Sequence, residues 1–300
     1  MMRKKAMLAQ NVGDYSRIKS DDWPLYVQPK LDGVRCLIQA EGLTPYHDSN
    51  PVSHGFMVKA YSRTGKEWKN IDHILDELHP FFAKNRNVIL DGELYNHDLK
   101  DDFEKIISLV RKTKPTGEDR LESAEMVQFH CYDTVMEHMD FRGRHKFIRE
   151  EFGLNARTYL YPSVRPLMAG MVYNTEEVEV YHEEFLEKGY EGSILRQNKP
   201  YECKRSWTLM KVKDFSDAEA TIVGFVEGKG KRKGTVGKFI GEDKDGNIFG
   251  MPVMDKFKYL QENFKEMQKW IGKIATFTYF ERTKAGSYRH PLFKAIRDYE

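Results

Sequence analysis

The residues most capable of chemistry lie in Gln28-Pro29-Lys30-Leu31-Asp32-Gly33-Val34-Arg35. A lysine amine attacks an electrophile only after losing its proton, and neighbouring cations favour that loss. Asp32, Gly33 and Arg35 suit a turn that presents the amine, with the glycine free to take a positive φ. Taken alone, the stretch reads equally as a surface β-turn and as a nucleophilic lysine held where a phosphate must go. Further motifs offer the groups such a lysine needs. Asp91-Gly92-Glu93 supplies a carboxylate for a ribose hydroxyl or a divalent metal. Glu191, opening Glu191-Gly192-Ser193-Ile194-Leu195-Arg196, supplies a hard oxygen ligand for Mg²⁺, which binds substrate phosphates through few carboxylates. Lys211-Val212-Lys213 sets two lysines on one face of a strand, where both reach one phosphate and favour an unprotonated Lys30 by like-charge repulsion. Tyr132, next to Asp133, is a flat platform for a purine. Arg63 in Ser62-Arg63-Thr64-Gly65, and Arg205, are phosphate forks. Lys229, Lys231, Arg232 and Lys233 lie between Gly228 and Gly234 without an acid, which suits sequence-independent phosphate contact. Each motif also has an ordinary reading: a strand-end acid, an edge-strand lysine pair, a core tyrosine, a surface arginine, a solvated hairpin loop.

These residues need elements to position them. Leu25 to Val27 and Val34 to Ile38 read as strands on either side of Lys30. Phe56 to Tyr61 reads as a strand, and Ile71, Ile74, Leu75, Leu78 and Phe82 recur at helical spacing. Asn87 to Leu90 is a buried strand entering Asp91. Asp101 or Asp102 caps a helix carrying Phe103, Ile106, Ile107 and Val110. Met126 to Tyr132 is a strand. Asn174 and Glu177 form a capping box before a helix that Gly189 ends. Strands over 191–197 and 208–213 follow. This mixture predicts an α+β fold with largely antiparallel sheets. The character changes at Phe215-Ser216-Asp217. Beyond it lie several short strands, a turn at Asp245-Gly246-Asn247, an amphipathic helix with Phe257, Leu260, Phe264, Met267 and Trp270, and strands over 274–280 and 292–296. That pattern predicts a small Greek-key barrel of the OB type. The boundaries are 1–214 for the larger domain and 215–300 for the smaller.

Composition narrows the classes. Three hundred residues, 40% hydrophobic, can bury a sizeable core, which excludes a disordered chain. The net charge of +2 hides an asymmetry, because residues 215–300 carry 16 Lys and Arg against 12 Asp and Glu. A basic C-terminal piece points to a polyanionic partner. Three cysteines without metal spacing read as free thiols in a reducing compartment. No apolar run approaches membrane-spanning length, so the expectation is a cytoplasmic protein with no membrane partner.

The motifs taken in order resemble one family. KxDGxR at Lys30, SRTG at Arg63, DGE at Glu93, the aromatic-Asp pair at Tyr132, EGxxxR at Glu191 and KxK at Lys211 and Lys213 follow the order of the covalent nucleotidyltransferases, the polynucleotide ligases and mRNA capping guanylyltransferases. Three details resemble the ATP-dependent DNA ligases, above all the minimal viral and phage type: SRTG, Asp217-Ala218-Glu219-Ala220-Thr221-Ile222-Val223 after KxK, and Tyr288-Arg289-His290-Pro291-Leu292-Phe293-Lys294-Ala295-Ile296-Arg297-Asp298 near the end. The resemblance implies a nucleotidyltransferase (adenylation) domain with a C-terminal OB-fold β-barrel. It implies ATP and Mg²⁺ (or Mn²⁺) as cofactors, nicked double-stranded DNA as partner, and a monomer of phage or viral origin. Lys30 would take AMP, assisted by Asp32, Arg35, Glu93, Lys211 and Lys213. Gln28, Arg35, Arg63, Glu93, Tyr132, Arg205, Lys211, Lys213 and Arg297 would hold the nucleotide. Glu93 and Glu191 would hold metal, and Arg63 with the 229–233 loop would hold DNA. Phe215 to Asp217 would be the hinge. The alternative on the same scaffold is an RNA ligase or a capping guanylyltransferase. The chain departs from the cellular ligases at Gln28, where they usually carry Glu; at Arg196, where many carry Lys; and at Tyr299, which replaces the last lysine of the terminal motif.

Overall fold

The computed structural model describes residues 4–13, 15–42, 55–100, 102–153, 160–213, 216–254, 264–279, 282 and 286–297. The chain divides into two compact units, Met1–Val212 and Lys213–Glu300. The first unit begins with β1 (Leu8–Asn11), β2 (Leu25–Pro29), β3 (Val34–Gly42), β4 (Phe56–Tyr61), α1 (Asp72–Lys84) and β5 (Ile89–Tyr95). It continues with α2 (Phe103–Val110), α3 (Gly117–Met126), β6 (Gln128–Thr134) and α4 (Phe141–Phe152). It ends with β7 (Val164–Pro166), β8 (Gly170–Val172), α5 (Thr175–Glu187), β9 (Ser193–Arg196) and β10 (Arg205–Val212). The strands form two five-stranded sheets, ordered β1-β10-β9-β2-β8 and β4-β3-β5-β6-β7. All pairings are antiparallel except β1 with β10 and β6 with β7.

Side chains alternate across a strand, so each strand divides its residues between two faces. Leu25 and Val27 of β2, Leu195 of β9 and Met210 and Val212 of β10 share one buried cluster with Val178 and Phe185 of α5. Cys36 and Ile38 of β3, Leu90 and Leu94 of β5 and Phe129 and Cys131 of β6 share another with residues of α1, α2 and α4. The opposite faces of both sheets supply Leu37 and Leu209 to a smaller cluster with Met7, Val135 and Tyr201. Gln28, Arg35, Asp91, Glu93, Arg196 and Lys211 lie on those same faces, offset by two or four residues from apolar neighbours. The fold thus collects its charged side chains in the gap between two sheets whose outer faces are covered.

Several elements lie outside the sequence-based expectations. β1, which precedes the first strand expected, and α3 and α4 are among them. Asp102 stands at the N-cap of α2, while Asp101 lies outside the described residues. The Asn174 side chain accepts from the Glu177 N–H, but Glu177 reaches past the cap to the Tyr173 N–H at 2.8 Å. Gly189 has a φ of 83° and closes α5. Among the described residues no helix is long and apolar enough to cross a membrane.

The second unit holds β11 (Ser216–Glu227), β12 (Val236–Glu242), β13 (Ile248–Pro252), β14 (Ile274–Tyr279) and β15 (Leu292–Arg297). They form one antiparallel sheet ordered β13-β12-β11-β14-β15 around Phe239, Met251, Phe277, Tyr288 and Phe293. The expected OB-type barrel is an open one. Among the described residues the two end strands, β13 and β15, are not paired, and Pro252 on the β13 edge has no N–H to donate. Of the expected amphipathic helix, residues 257 and 260 lie outside the described residues, and Phe264–Trp270 forms a 3-10 helix. Phe215 of the expected hinge also lies outside them, as do Asp298 and Tyr299. Ser216 and Asp217 already belong to β11.

Candidate active site

Lys30 follows the last residue of β2, and its backbone is tied down on both sides. Its N–H donates to the Gly192 carbonyl at 2.8 Å, and its carbonyl accepts from the Glu191 N–H at 2.9 Å. This exchange brings Glu191 beside the lysine, and Lys30 Nζ donates to Glu191 Oε2 in a largely buried ion pair. Gly192 is required because its φ is 138° and a Cβ would stand 2.4 Å from the Val212 carbonyl oxygen. Gly33 is required for a different reason than expected. Its φ is not positive; instead a Cβ would stand 2.6 Å from Glu93 Cγ and 2.5 Å from the Leu94 carbonyl oxygen.

A cavity of about 250 Å³ opens beside Lys30. It has a buried end and an exposed mouth. Gln28, Tyr132 and Arg196 are buried, with Leu167 beside them, whereas Arg63 and Arg205 are exposed and Lys30 and Lys211 half-buried. The buried end suits a flat apolar ring and the mouth suits phosphates. Tyr132 reaches the cavity because of a bulge. Asp91 pairs with Asp133 but Gly92 pairs with Cys131, leaving Tyr132 as the extra residue. Bulges re-aim side chains, and this one turns Tyr132 toward Glu93, to which its hydroxyl donates at 3.2 Å. The Arg35 and Arg196 guanidinium carbons lie 5.2 and 5.4 Å from the tyrosine ring centre.

The buried charges are clamped in pairs. Asp91 accepts from Arg35 Nε and Nη2, both at 2.6 Å, and from the Tyr201 hydroxyl at 2.7 Å. Asp133 accepts from Arg144 Nε at 2.6 Å and from Arg196 Nη1 at 2.8 Å. Arg196 Nε donates to Gln28 Oε1 at 2.7 Å, and Gln28 Nε2 donates to the Leu167 carbonyl at 3.0 Å. Gln28, expected to help hold the nucleotide, is therefore already engaged at both ends of its amide. Burial pushes the Glu93 carboxyl up to about 7, against the pull of Arg35, Lys30 and the Tyr132 hydroxyl. Burial also lowers Lys211, and the nearby Lys30, Arg205 and Arg63 charges lower it further.

Of the expected site residues, Gln28, Lys30, Arg35, Arg63, Glu93, Tyr132, Arg205 and Lys211 line the cavity, and Glu191 touches Lys30. Asp32 sits in the β2–β3 turn and does not line it. Lys213 follows the end of β10 and belongs to the second unit, as does Arg297, which donates to Thr276 Oγ1 and pairs with Glu219, each at 3.0 Å. Lys229, Lys231 and Lys233 are exposed in a loop that forms a 3-10 turn, Gly230–Arg232, whereas Arg232 is partly buried and donates to the Val253 and Val236 carbonyls at 2.6 and 3.2 Å. Arg196, Asp133, Arg144, Asp91 and Tyr201 were not among the expected site residues. Asp91, Asp133 and Arg196 lay within motifs already read (DGE, the aromatic-Asp pair and EGxxxR), whereas Arg144 and Tyr201 carried no readable signal.

The description of the ATP dependent DNA ligase domain matches residues 6–213, and that of the DNA ligase OB-like domain matches residues 227–297. The chain belongs to the ATP-dependent DNA ligase family. It is 24% identical to the DNA ligase of Enterobacteria phage T4 over 277 residues, covering 81% of this chain and 55% of that protein. It is 29% identical to a DNA ligase of African swine fever virus over 217 residues, covering 70% of this chain and 46% of that protein. The chain thus spans about half the length of these ligases. Solved structures share the ligase fold. One described as "DNA binding with a minimal scaffold: Structure-function analysis of Lig E DNA ligases" gives a TM-score of 0.72 over 99% of this chain and 100% of that one, at 22% identity. The ATP-dependent DNA ligase of bacteriophage T7 in complex with ATP gives 0.55 over 98% of each chain, at 17% identity.

Proposed function

We propose that this chain seals nicks between a 3′-hydroxyl and a 5′-phosphate in duplex DNA, with ATP as the nucleotide donor. The observation that carries the reading is Lys30 at the junction of a buried, aromatic-walled cavity and a cationic mouth. The nucleotidyltransferase domain is placed at 1–214 and the OB domain at 215–300, two residues beyond the division between the compact units.

Lys30 Nζ, once deprotonated, attacks the α-phosphorus of ATP. An N–P bond forms, the bond to the bridging oxygen breaks, and pyrophosphate leaves. The 5′-phosphate of the nick then attacks the same phosphorus and the lysine leaves as the amine. Finally the 3′-hydroxyl attacks the activated 5′-phosphate and AMP departs. Splitting the exchange in this way is covalent catalysis, and cations at the mouth meet the charge that develops on phosphate. Tyr132 stacks on the adenine. Lys211, Arg63 and Arg205 hold phosphate oxygens, and Glu93 faces the ribose. Parts for Asp32, Lys213 and Arg297 rest on the family resemblance. Among the described residues no three His, Cys, Asp or Glu side chains cluster. Two carboxylates around Lys30 fit Mg²⁺ or Mn²⁺, which keeps waters and substrate phosphates as its other ligands. Glu191 and Glu93 would hold it, and when bound it would neutralise phosphate charge.

Intact-mass measurement after incubation with ATP and Mg²⁺ tests the reading. AMP on Lys30, lost in a chase with nicked duplex as sealed strand forms, is the expected result. An adduct from GTP and none from ATP would overturn it, and so would nick sealing by Lys30→Ala at the wild-type rate.

A further inference from the structure

The buried face of α5 carries Val178, His182 and Phe185. The two apolar residues share a cluster with Leu195, Met210 and Val212 of the first sheet. His182 breaks the pattern of that apolar layer. It is 6% exposed, and its Nδ1 lies 2.9 Å from Oγ of the fully buried Ser193. A buried polar group costs stability unless it is bonded, whereas an apolar pair of similar size would fill the layer without that demand. What the polar pair adds is direction. Apolar packing tolerates small shifts of a strand, but a hydrogen bond holds one donor to one acceptor within a narrow range of distance and angle.

The place of the pair in the sheet gives that direction a use. Ser193 begins β9 and is paired with Pro29 on one side and with Val212 on the other. Pro29 precedes Lys30, and Val212 follows Lys211. One residue before Ser193, the Gly192 carbonyl accepts the Lys30 N–H, and the Glu191 N–H donates to the Lys30 carbonyl. The His182 ring also backs Gly192, where a Cβ would stand 3.2 Å from its Cε1. The imidazole therefore lies behind the point at which the strands leading to Lys30 and Lys211 meet the segment carrying Glu191. Side chains alternate along β9, so Ile194 lines the cavity while Ser193 faces α5. Neither His182 nor Ser193 lines the cavity. We propose that His182, acting through Ser193, is a positioning residue for AMP transfer. It holds the start of β9 so that Lys30 and Lys211 stand at the spacing at which one α-phosphate meets both. A small misplacement of reacting groups is enough to slow a reaction severely. The inference rests on the proposed adenylation by ATP.

The experiment measures the single-turnover rate of AMP transfer to Lys30 across a range of ATP concentrations, beside a thermal melt of each protein. Ser193→Ala removes the hydroxyl and nothing that lines the cavity. Its rate at saturating ATP should fall about tenfold, the worth of one hydrogen bond, with the half-saturating ATP concentration unchanged. His182→Leu should lose the same factor. His182→Asn keeps the wild-type rate, because its amide meets the serine hydroxyl as donor or acceptor. Combining Ser193→Ala with His182→Leu should be no slower than His182→Leu alone, since both changes remove one contact. Should His182→Leu fail to fold, Ser193→Ala and His182→Asn decide the matter. A purely structural pair predicts a lower melting temperature with the saturating rate per folded chain intact. That result in Ser193→Ala overturns the inference, and so does a loss confined to half-saturation, a slow His182→Asn, or losses that multiply in the double variant. In each of these cases wild-type adenylation by ATP leaves the ligase reading standing. A wild type that takes up no AMP overturns both.

Discussion

Lys30 is paired with Glu191 in a site that needs the lysine as a free amine. An ammonium held by a carboxylate has no lone pair to attack with, so the approach of phosphate has to part them. Glu191→Gln removes the charge that competes with the incoming phosphate but also the carboxylate proposed to hold the metal. AMP transfer should fall at least about tenfold at saturating ATP and recover in part as Mg²⁺ is raised; an undiminished rate at low Mg²⁺ would contradict the assignment. Glu93 is perturbed in a way that links function to stability. Its carboxyl is pushed from 4.5 to about 7 by burial. The native state therefore binds more protons than the unfolded chain between those limits, and the stability this group contributes is fully present below pH 4.5 and lost as pH rises through about 7. The loss amounts to about 3 kcal/mol. Glu93→Gln cannot ionise, so its melting temperature should exceed that of the wild type at pH 8 and vary less between pH 5 and 8, while AMP transfer falls. Melting curves at the two pH values check this, and parallel curves for both proteins would refute it.

Elements place these residues by alternation, and where alternation holds the site is legible. Glu93 and Asp91 on β5 and Lys211 on β10 stand where a period of two puts them. Gly33 shows where one strand's pattern falls short. The turn signal is correct, but the glycine is needed because β5 runs too close for a side chain. Gly33→Ala should cost about 1–3 kcal/mol, as overpacking does, and displace Glu93. The paired readout is a lower melting temperature together with less AMP adduct, and a variant normal in both would show that β3 and β5 can part freely. The bulge at Tyr132 is equally hidden, because it exists only in the register between β5 and β6. Harder still are the contacts set by sheet order. Arg196 meets Gln28 across 168 positions of sequence because β9 lies beside β2, and Tyr201 meets Asp91 across 110. Each motif points to its own local element. None encodes the neighbour that a sheet will later supply, which is why Arg144 on α4 and Tyr201 went unread.

The whole chain is nearly neutral while its C-terminal part is basic, and that asymmetry carries the last expectation. In the 228–234 loop, Lys229, Lys231 and Lys233 are exposed and Arg232 is not. Arg232 spends its guanidinium on the Val253 and Val236 carbonyls, which ties the loop to β12 and to the end of β13. The four basic residues therefore divide into three exposed cations and one that ties the loop down. Lysines that meet phosphates release counterions, each contributing about 0.9 to the slope of log K against log salt. Replacing all three lysines with alanine should weaken binding to a nicked duplex and lower that slope by up to about 2.7, with AMP transfer to Lys30 and the melting temperature unchanged. Arg232→Ala should do the reverse, lowering the melting temperature by removing two carbonyl contacts while leaving the slope within about one unit of wild type. Binding titrations at several salt concentrations, run beside thermal melts, separate the two. If the triple variant kept the full slope, duplex contact would lie elsewhere on the molecule and the loop's charge would serve only solubility.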